Sequence, residues 1–457
     1  MEIKKIYASS VAKLTSNVYT GGGDDDTLAI QQVLDMAKDE NVGVHLIMDG
    51  AALVESLKLY SNTTIECMNK DCGFYQKSNM NCAVITNAIW NDYELETKNI
   101  SLLGGTYHQN GQNQAHDNPN IDKQFVCPDK VTDNPDGATH PFVMGLEFYG
   151  VENLLIRDIT IRDFRTFALT VGCFKNVTIE NTWLDLPYGT RANQDGFHFW
   201  GPGQFLNVLH CGGKVGDDII NVGPDERDKV SSITDVLIDG IFMDDGEQGV
   251  RLLSRGTGRL DRVTIRNISG VYRSYGFYID PWFVDDTCGN FGHILIENVD
   301  LKSVEKSYGP PFLFSAGGNI ECLMLKNIRH HAAHDNRPIL EIGWPFYLPH
   351  RENYKTFEED TPYHTCRHKQ RLQNIIIDGL TIVEHEDDPK DTNYISIYDK
   401  VENMIIKNVT VIKNQEENGN LLYFEDCGAV ENLVMEGIHT KGLKNLISDE
   451  TKVKNRF

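Results

Sequence analysis

Three aspartates in two short motifs are the residues of this sequence best suited to acid–base chemistry. Asp195 lies in Asn-Gln-Asp-Gly at 193–196, and Asp217 and Asp218 lie in Gly-Asp-Asp at 216–218. Each motif alone is also ordinary turn chemistry, because Asp binds its own backbone and Gly adopts unusual dihedral angles. Three carboxylates held close together repel one another unless one stays protonated. Hydrolysis of a glycosidic bond uses such a set of groups. One carboxylic acid protonates the leaving oxygen, and ionised carboxylates activate the attacking water.

Two interleaved series of repeats predict how these motifs are positioned. The first series has a polar residue followed by alternating apolar positions, and its copies start at Asn153, Asn176, Asp235, Arg262, His293, Cys322, Asn374, Asn403 and Asn432, with a weaker copy at Asn99. The second series consists of short β-rich stretches that start at Gly145, Phe167, Gly196, Asp218, Gly249, Gly276, Pro311, Pro338, Asn393 and Leu421. β-Branched residues at period two, interrupted by Gly and Asn, favour strands over long helices. Each coil buries its apolar face only by stacking on the next.

The repeats predict an all-β fold, a right-handed parallel β-helix (solenoid) that forms a single domain over residues 1–457. A β-sandwich is the alternative, but it would not keep both series in step over this length. Two long loop insertions are predicted at 106–140 and 343–371. They could wall in a cleft and restrict the protein to chain ends, which would favour exo action.

A short N-terminal helix over residues 24–40 is predicted to cap the solenoid. Asp25 or Asp26 can serve as its N-cap. Its expected apolar face consists of Leu28, Ile30, Val33, Leu34 and Ala37. Terminal coils need such a cap because their apolar interior would otherwise meet water.

Stacked coils place equivalent residues in columns, about 4.8 Å apart. Alignment of the second series sets 193–196 beside 216–218, then Glu247-Gln248-Gly249, then Ser274-Tyr275-Gly276 on successive coils. The three aspartates are therefore expected to cluster just before two stacked strands.

With this pair of motifs the sequence resembles glycoside hydrolase family 28, the polygalacturonase family, whose pattern is Asn-Thr-Asp-Gly followed by Gly-Asp-Asp. The resemblance extends to the coil repeats and the N-terminal segment AIQQVLDMA, so it covers nearly the whole chain. It implies that Asp217 is the general acid and that Asp195 and Asp218 position and deprotonate water, with inversion at the anomeric carbon.

Two departures from that pattern bear on the substrate. The family's Gly-His-Gly falls on Glu247-Gln248-Gly249, and Gln248 can hydrogen-bond but cannot titrate. The family's Arg-Ile-Lys, which meets a uronate carboxylate, falls on Tyr278-Ile279-Asp280. A negative side chain at Asp280 would repel a uronate, so the sequence predicts an α-linked neutral sugar as the substrate. A polygalacturonase-type pectin hydrolase is the alternative.

Further side chains are predicted to bind substrate together with Gln248 and Asp280. By alternation His198, Arg251 and Tyr278 should point outward on one face. Trp200 and Trp282 lie at or near strand ends, where an indole can stack on a sugar ring. The alternatives are packing at a coil corner for the tryptophans and, for Arg251, a salt bridge to an aspartate of the cluster.

A second, local resemblance involves the same residues. Asp195-Gly-Phe-His198 and Asp217-Asp-Ile-Ile-Asn221 are similar to segments of the α-1,3-galactosidases of glycoside hydrolase family 110. That likeness also implies an inverting mechanism.

Composition limits the partners of the chain. Lys and Arg total 43 against 66 Asp and Glu, a net charge of −23, which argues against nucleic acid and anionic membranes. The expected partner is an oligosaccharide or polysaccharide substrate. Because no apolar run typical of a signal peptide stands out, a cytoplasmic protein is expected, or a secreted one if a leader has been trimmed. The ten scattered cysteines predict reduced thiols.

Two histidine clusters have spacing that metal ligands could use. One contains His330, His331, His334 and Asp335, and the other contains His364, Cys366 and His368. A metal would need further ligands that the sequence does not identify. They are therefore interpreted as solvated loop histidines, and neither a metal nor a cofactor is predicted.

Two rival functions remain open. A β-helix polysaccharide lyase would need calcium and a basic residue near a uronate, which the acid at Asp280 opposes. A carbohydrate-binding protein would keep the aromatic residues but would not depend on Asp217.

Overall fold

The structure is a computed structural model that describes residues 1–114, 143–190, 193–281, 288–304, 311–331, 338–343, 370–383, 392–425 and 427–457. Its contacts divide the chain into two compact units, Met1–Asn221 and Val222–Phe457. Each unit is a stack of parallel β-coils. The prediction of one domain over 1–457 stays a prediction.

The first unit contains one α-helix, α1 (Thr27–Leu34), three 3₁₀ segments, Ala8–Ser10, Asp35–Lys38 and Gly111–Asn113, and short parallel strands. The strands are β1 (Glu2–Tyr7), β2 (Val42–Met48), β3 (Ala51–Val54), β4 (Leu57–Leu59), β5 (Thr63–Cys67), β6 (Gly73–Gln76), β7 (Ile85–Asn87), β8 (Thr97–Leu103), β9 (Thr106–His108), β10 (Leu146–Arg157), β11 (Thr160–Arg162), β12 (Leu169–Glu180), β13 (Trp183–Asp185), β14 (Phe197–Leu209), β15 (Gly212–Gly213) and β16 (Asp218–Gly223).

Three parallel sheets form the walls of this unit. Sheet A consists of β1, β2, β5, β8 and the second halves of β10, β12 and β14. Sheet B consists of β4, β7, the first halves of β10, β12 and β14, and β16. Sheet C consists of β3, β6, β9, β11, β13 and β15. Sheets A and B are the two repeat series predicted from the sequence.

The second unit contains long strands of up to 25 residues, which cross two walls of a coil, and short strands of three to five residues. They are β17 (Ile233–Leu253), β18 (Leu260–Asp280), β19 (Phe291–Ser303), β20 (Phe312–Ala316), β21 (Ile320–His331), β22 (Leu340–Ile342), β23 (Leu372–Val383), β24 (Asn393–Ile397), β25 (Lys400–Phe424), β26 (Ala429–Ile447) and β27 (Val453–Arg456), with a 3₁₀ segment at Glu450–Lys452. One ladder joins β19, β21 and β23 to β18 and β25, and another joins β20, β22 and β24 to the same two strands.

Columns of aliphatic side chains fill the interior of both units. In the first unit one such column is formed by Leu46, Ile65, Leu102, Ile156, Ile179 and Val208, which are all fully buried. In the second unit the matching column is formed by Ile238, Ile265, Ile296, Leu325, Ile377 and Ile406. Each such side chain contributes about 1.5–3 kcal/mol when it is fully buried. The prediction of an all-β, right-handed parallel β-helix is confirmed.

Asparagines lie at corners of the coils, and their side chains stack into an asparagine ladder. In the first unit the side-chain Nδ2 of each donates to Oδ1 of the one before, at 2.7–2.9 Å, along Asn62, Asn99, Asn153 and Asn176. These four residues have φ between 59° and 62°, a left-handed conformation that Asn tolerates better than most residues. The second unit repeats this hydrogen-bond pattern along Asn374, Asn403, Asn432 and Asn455, but these four residues do not have a positive φ.

The predicted capping helix is present but shorter than residues 24–40. Helix α1 packs against β2, β3 and β4, and the 3₁₀ segment Asp35–Lys38 continues it. Asp25 accepts a hydrogen bond from the backbone N–H of Thr27 at 2.9 Å, whereas the Asp26 carboxylate binds the backbone of Lys13 and Leu14. Four of the five predicted apolar positions are buried, but Leu28 is exposed and that part of the prediction is wrong.

Parts of the two predicted insertions lie within the coils. Thr106–His108 forms β9, so the first insertion begins after that strand. In the second predicted insertion, Gln370 is buried, and its Nε2 donates a hydrogen bond to Oδ2 of Asp399 at 2.9 Å. Residues 115–140 of the first insertion and 344–369 of the second lie outside the described residues.

Two predictions about reactive side chains need correction. His330 is on β21, fully enclosed, and its Nε2 lies 2.7 Å from the hydroxyl of Tyr272, so it is not a solvated loop residue. Burial lowers the pKa of His330 to about 3. Seven described cysteines are free, but Cys288 is disulfide-bonded, which contradicts the prediction of reduced thiols at that residue. His334, Asp335, His364, Cys366 and His368 lie outside the described residues.

Candidate active site

The two aspartate motifs lie on neighbouring coils of sheet B in the first unit, as the sequence predicts. The backbone N–H of Gly196 donates to the carbonyl of Asp218 at 2.8 Å. The N–H of Gly216 donates to the carbonyl of Gln194 at 3.0 Å. Each motif therefore ends where its strand, β14 or β16, begins, and the backbone hydrogen bonds hold the two turns side by side.

Close packing between coils explains the glycine of the first motif. A Cβ at Gly196 would overlap the carbonyl oxygen of Ile219 on the next coil. The left-handed position of this turn is instead Asn193, with φ 60°. Gly196 is therefore needed for the approach of the two coils rather than for an unusual dihedral angle, and the turn interpretation of Asp-Gly does not account for it.

A buried histidine fixes the carboxylate of Asp195. His198 Nδ1 lies 2.9 Å from Asp195 Oδ2, and both side chains are buried. The imidazole stacks on Phe167 with ring centroids 4.3 Å apart and an interplanar angle of 7°. It also meets the edge of Trp200 at 4.9 Å. Because aromatic rings hold the imidazole, the Asp195 carboxylate has a defined orientation.

The other two carboxylates differ in their access to solvent. Asp217 is only partly buried, and its Oδ2 accepts the backbone N–H of Asn193 at 3.0 Å. Asp218 is buried, and its Oδ2 accepts from Nδ2 of Asn221 at 3.3 Å. The cluster of three aspartates thus has two enclosed carboxylates and one that reaches the surface, an arrangement that suits one proton donor and two water-binding groups.

Three of the predicted substrate-binding residues form a buried group in the second unit. Arg251 is paired with Tyr278 in the register of β17 and β18. Its guanidinium lies over the Tyr278 ring at 5.3 Å, and its Nε lies 3.5 Å from Asp280 Oδ1. All three side chains are buried, as is His198, so the outward direction that alternation predicts for His198, Arg251 and Tyr278 does not expose them to solvent. Arg251 thus forms a salt bridge with Asp280, which is not one of the three clustered aspartates named in the alternative prediction.

Asp280 does not present an exposed negative charge. Its exposed fraction is 0%, and burial raises its pKa from 3.8 to about 7. Arg251 opposes this rise in pKa, and Glu226 adds to it. The predicted repulsion of a uronate by Asp280 is not supported, because the carboxylate is enclosed, partly protonated near neutral pH and paired with a cation.

The remaining predicted binding residues have separate environments. Gln248 is half-buried, and its Oε1 accepts the hydroxyl of Tyr275 at 2.6 Å. Trp200 packs in a buried cluster with Met144, Tyr149 and Phe167. Trp282 lies outside the described residues. Their roles in substrate binding stay predictions.

Two features were not identified from the sequence. Asp225 is buried and accepts the backbone N–H groups of Arg255, Gly256 and Gly258, yet burial still raises its pKa to about 6. Its Gly-Pro-Asp context reads as a turn, so no sequence signal marked it. Trp90 is 46% exposed and follows β7 of sheet B, and the sequence marks it only as an aromatic residue in a polar segment, with Tyr93 three positions later.

Within the described residues, no group of three or more His, Cys, Asp or Glu side chains is arranged to hold a metal ion. Among the same residues, no helix is long and apolar enough to span a membrane.

Sequence comparison relates parts of the chain to plant polygalacturonases. No protein-family model matches the chain. It is 33% identical over 87 residues to a polygalacturonase of Gossypium barbadense, which covers 19% of this chain and 21% of that protein. It is 34% identical over 93 residues to an exopolygalacturonase of Oenothera organensis, covering 20% and 25% of the two chains. The matched segments thus span about a quarter or less of these relatives.

Structural comparison extends the likeness of the fold to the whole chain. The family 28 exopolygalacturonase of Yersinia enterocolitica superposes with a TM-score of 0.54 at 13% identity, covering 100% of this chain and 78% of that one. A tailspike protein mutant of E. coli bacteriophage HK620, in complex with a pentasaccharide, gives 0.56 at 12% identity and covers 93% and 75%. The chain is therefore a polygalacturonase-like parallel β-helix. These relatives lend no support to the likeness to family 110.

Proposed function

We propose that this protein is an inverting glycoside hydrolase that cleaves α-linked galacturonide bonds in a pectin-type polysaccharide. The observation that carries the proposal is the set of three aspartates on two adjacent coils of the first unit. Two of them are enclosed and one reaches solvent. A turn-forming role alone would not require two buried carboxylates.

Each carboxylate has a role that matches its surroundings. Asp217 is the accessible one, and as the general acid it delivers its proton to the leaving glycosidic oxygen. His198 orients the carboxylate of Asp195 and Asn221 that of Asp218, and in the proposed reaction these two carboxylates position a water molecule and remove its proton. An inverting reaction needs both roles on opposite sides of the sugar.

Galacturonide is preferred here to the neutral sugar that the sequence predicts. The relatives with local sequence likeness are a polygalacturonase and an exopolygalacturonase. The main objection to a uronate was a negative charge at Asp280, and that side chain is buried against Arg251. The burial of Asp280 therefore removes the charge-based objection to a uronate at the cleaved bond.

The test is proton NMR of the anomeric region while the protein acts on oligogalacturonides. We expect a new reducing end with inverted configuration. Asp217→Asn should lower the rate by about 10²- to 10⁴-fold, the range for loss of a general acid. Asp195→Asn and Asp218→Asn should also lower it, because neither amide can accept a proton from water.

Asp158→Asn is the matched control. Asp158 lies in the same unit, its side chain is half exposed, and its φ of 60° suits Asn equally well. Its activity should equal that of the wild type. Cleavage that survives in Asp217→Asn would refute the assigned acid. Binding of oligogalacturonide without any cleavage would instead identify a carbohydrate-binding protein.

A further inference from the structure

An aromatic row in the first unit leads away from His198 along sheet B. It consists of Trp200, Tyr149 and Trp90. Trp200 and Tyr149 have ring centroids 5.9 Å apart, and Tyr149 and Trp90 stack at 3.7 Å with an interplanar angle of 15°. His198 meets Trp200 at 4.9 Å and also binds Asp195. The row therefore connects a candidate catalytic carboxylate with a distant loop.

The strand register places the row on the outer side of sheet B. Tyr149 pairs with Gly172, and Gly172 pairs with Trp200 on the next strand. Trp200 is two residues after His198, so both point to the same side of the strand. The alternating residues between them, such as Phe199, fill the interior. Tyr149 and Trp200 thus share a face with the group that orients Asp195.

The glycine between the two rings makes the row continuous. A Cβ at Gly172 would lie 2.6 Å from the ring of Tyr149. Without that side chain, the Tyr149 ring lies over the middle strand and approaches Trp200. The geometry of the row therefore depends on a small residue at 172.

Trp90 is the exposed end of the row. Its exposed fraction is 46% even though Tyr149 covers one face of the indole, whereas Tyr149 and Trp200 are buried. Its loop is well tied, because Asn91 Oδ1 accepts the N–H groups of Tyr93 and Glu94 at 2.9 and 3.0 Å. The indole N–H donates to Asp92. A rigid, half-exposed indole is a suitable surface for the apolar face of a sugar ring.

The charge of this loop restricts which ring it can accept. Residues 88–96 include Asp92, Glu94 and Glu96 and no Lys or Arg. Their field reaches the neighbouring strand, where burial together with Asp92 and Glu94 raises the pKa of Cys173 to about 11. A ring that carries a carboxylate would be repelled here, whereas an uncharged ring would not.

We propose that Trp90 is a stacking platform for an uncharged sugar ring of the substrate, either a neutral sugar or an esterified uronate. This proposal rests on the proposed hydrolase function and deepens it. Trp90 lies beside β7, three coils from β14, or roughly 14 Å at the usual spacing of strands. The ring bound there is not the ring that is cleaved, so the platform selects long, locally uncharged chains.

The test uses the inactive Asp217→Asn variant as the background, so that binding is measured without turnover. The probes are digalacturonide, hexagalacturonide and the methyl-esterified hexagalacturonide, titrated by calorimetry. The esterified hexamer should bind more tightly than the free acid. Adding Trp90→Ala should weaken its binding by about tenfold, the equivalent of one aromatic contact. Binding of the dimer should not change.

Two further variants separate stacking from a general loss of structure. Trp90→Phe keeps an aromatic face and should recover most of the affinity. Trp183→Ala removes a tryptophan of similar exposure, 42%, from sheet C of the same unit and should have no effect. Equal weakening of the dimer and the hexamer, or no weakening by Trp90→Ala, would overturn the platform.

The proposed function fails independently if wild-type protein cleaves none of these probes. In that case the binding titrations still decide the role of Trp90. Tighter binding of the free acid than of the ester would overturn the preference for an uncharged ring.

Discussion

Asp280 makes the stability of the second unit depend on pH in an unusual direction. Most native carboxylates have a lowered pKa and stabilise a protein as pH rises. The pKa of Asp280 is raised from 3.8 to about 7, chiefly by burial. The folded state therefore holds a proton that the unfolded state has lost between these values. Stability contributed by this group is present below about pH 4 and is lost as pH rises through 7.

Substitution by asparagine isolates this effect. Asp280→Asn cannot titrate, so it should avoid the penalty that the wild type acquires with rising pH. From the two pKa values, the free energy of unfolding of the variant should rise relative to that of the wild type by about 3 kcal/mol when pH is raised from 5 to 8. The attraction between Arg251 and ionised Asp280 is already contained in the pKa of about 7, so it adds no separate pH-dependent contribution to this comparison.

Denaturant unfolding at pH 5 and pH 8 measures this difference. The control is Glu436→Gln, because the Glu436 side chain is 70% exposed and should show no such dependence. Parallel behaviour of wild type and Asp280→Asn at the two pH values would refute the assignment of a buried, late-titrating carboxyl group.

Three further predictions concern stability and packing. The free energy of unfolding of the wild type should fall by about 2 kcal/mol as pH is lowered from 8 to 5. His330 has a pKa of about 3 in the folded protein, so over this range it takes up a proton only in the unfolded state. His330→Gln should lose less in the same denaturation experiment, and equal losses would contradict this. Gly172→Ala should displace the ring of Tyr149 and destabilise the first unit by about 1–3 kcal/mol. Near-ultraviolet circular dichroism should change with it, and an unchanged spectrum would show that the ring tolerates the methyl group. Asn176→Gly keeps the left-handed backbone but removes the hydrogen bond to Asn153, and should cost about 1 kcal/mol by thermal unfolding. Asn176→Asp cannot donate either and should show a similar loss, so a stable Asp variant would argue against the ladder.

The sequence predicted the coils well because their cause is local. Alternating apolar residues recur from coil to coil, with asparagines at many of the corners, and stacking is the way in which such segments bury their apolar face. The same alignment placed the motif of Asp195 beside that of Asp217 and Asp218. These statements need only the period of the repeat and the register of neighbouring strands.

Environments that depend on what covers a residue were not predictable in this way. Alternation correctly puts Arg251 beside Tyr278, but it does not reveal that Asp280 is enclosed and paired with the arginine. The reading of His330 as a loop residue failed because its strand continues further than the apolar pattern indicates. The position of Trp90 as a rigid surface indole is not predictable from the sequence, because it depends on stacking with Tyr149, which lies 59 residues further along the chain.

The asparagine ladder also has a direction, and this bears on chemical ageing. Every amide in it donates toward the N-terminal coil and accepts from the C-terminal one, so each interior rung needs both functions. Aspartates occur where a rung only accepts, as at Asp239, which binds Asn267, and at Asp378, which binds Asn408. Spontaneous deamidation of an interior asparagine would remove the donor and keep the acceptor. One hydrolysed amide would therefore divide a ladder into two shorter ones, and the break would fall on the N-terminal side of the damaged residue.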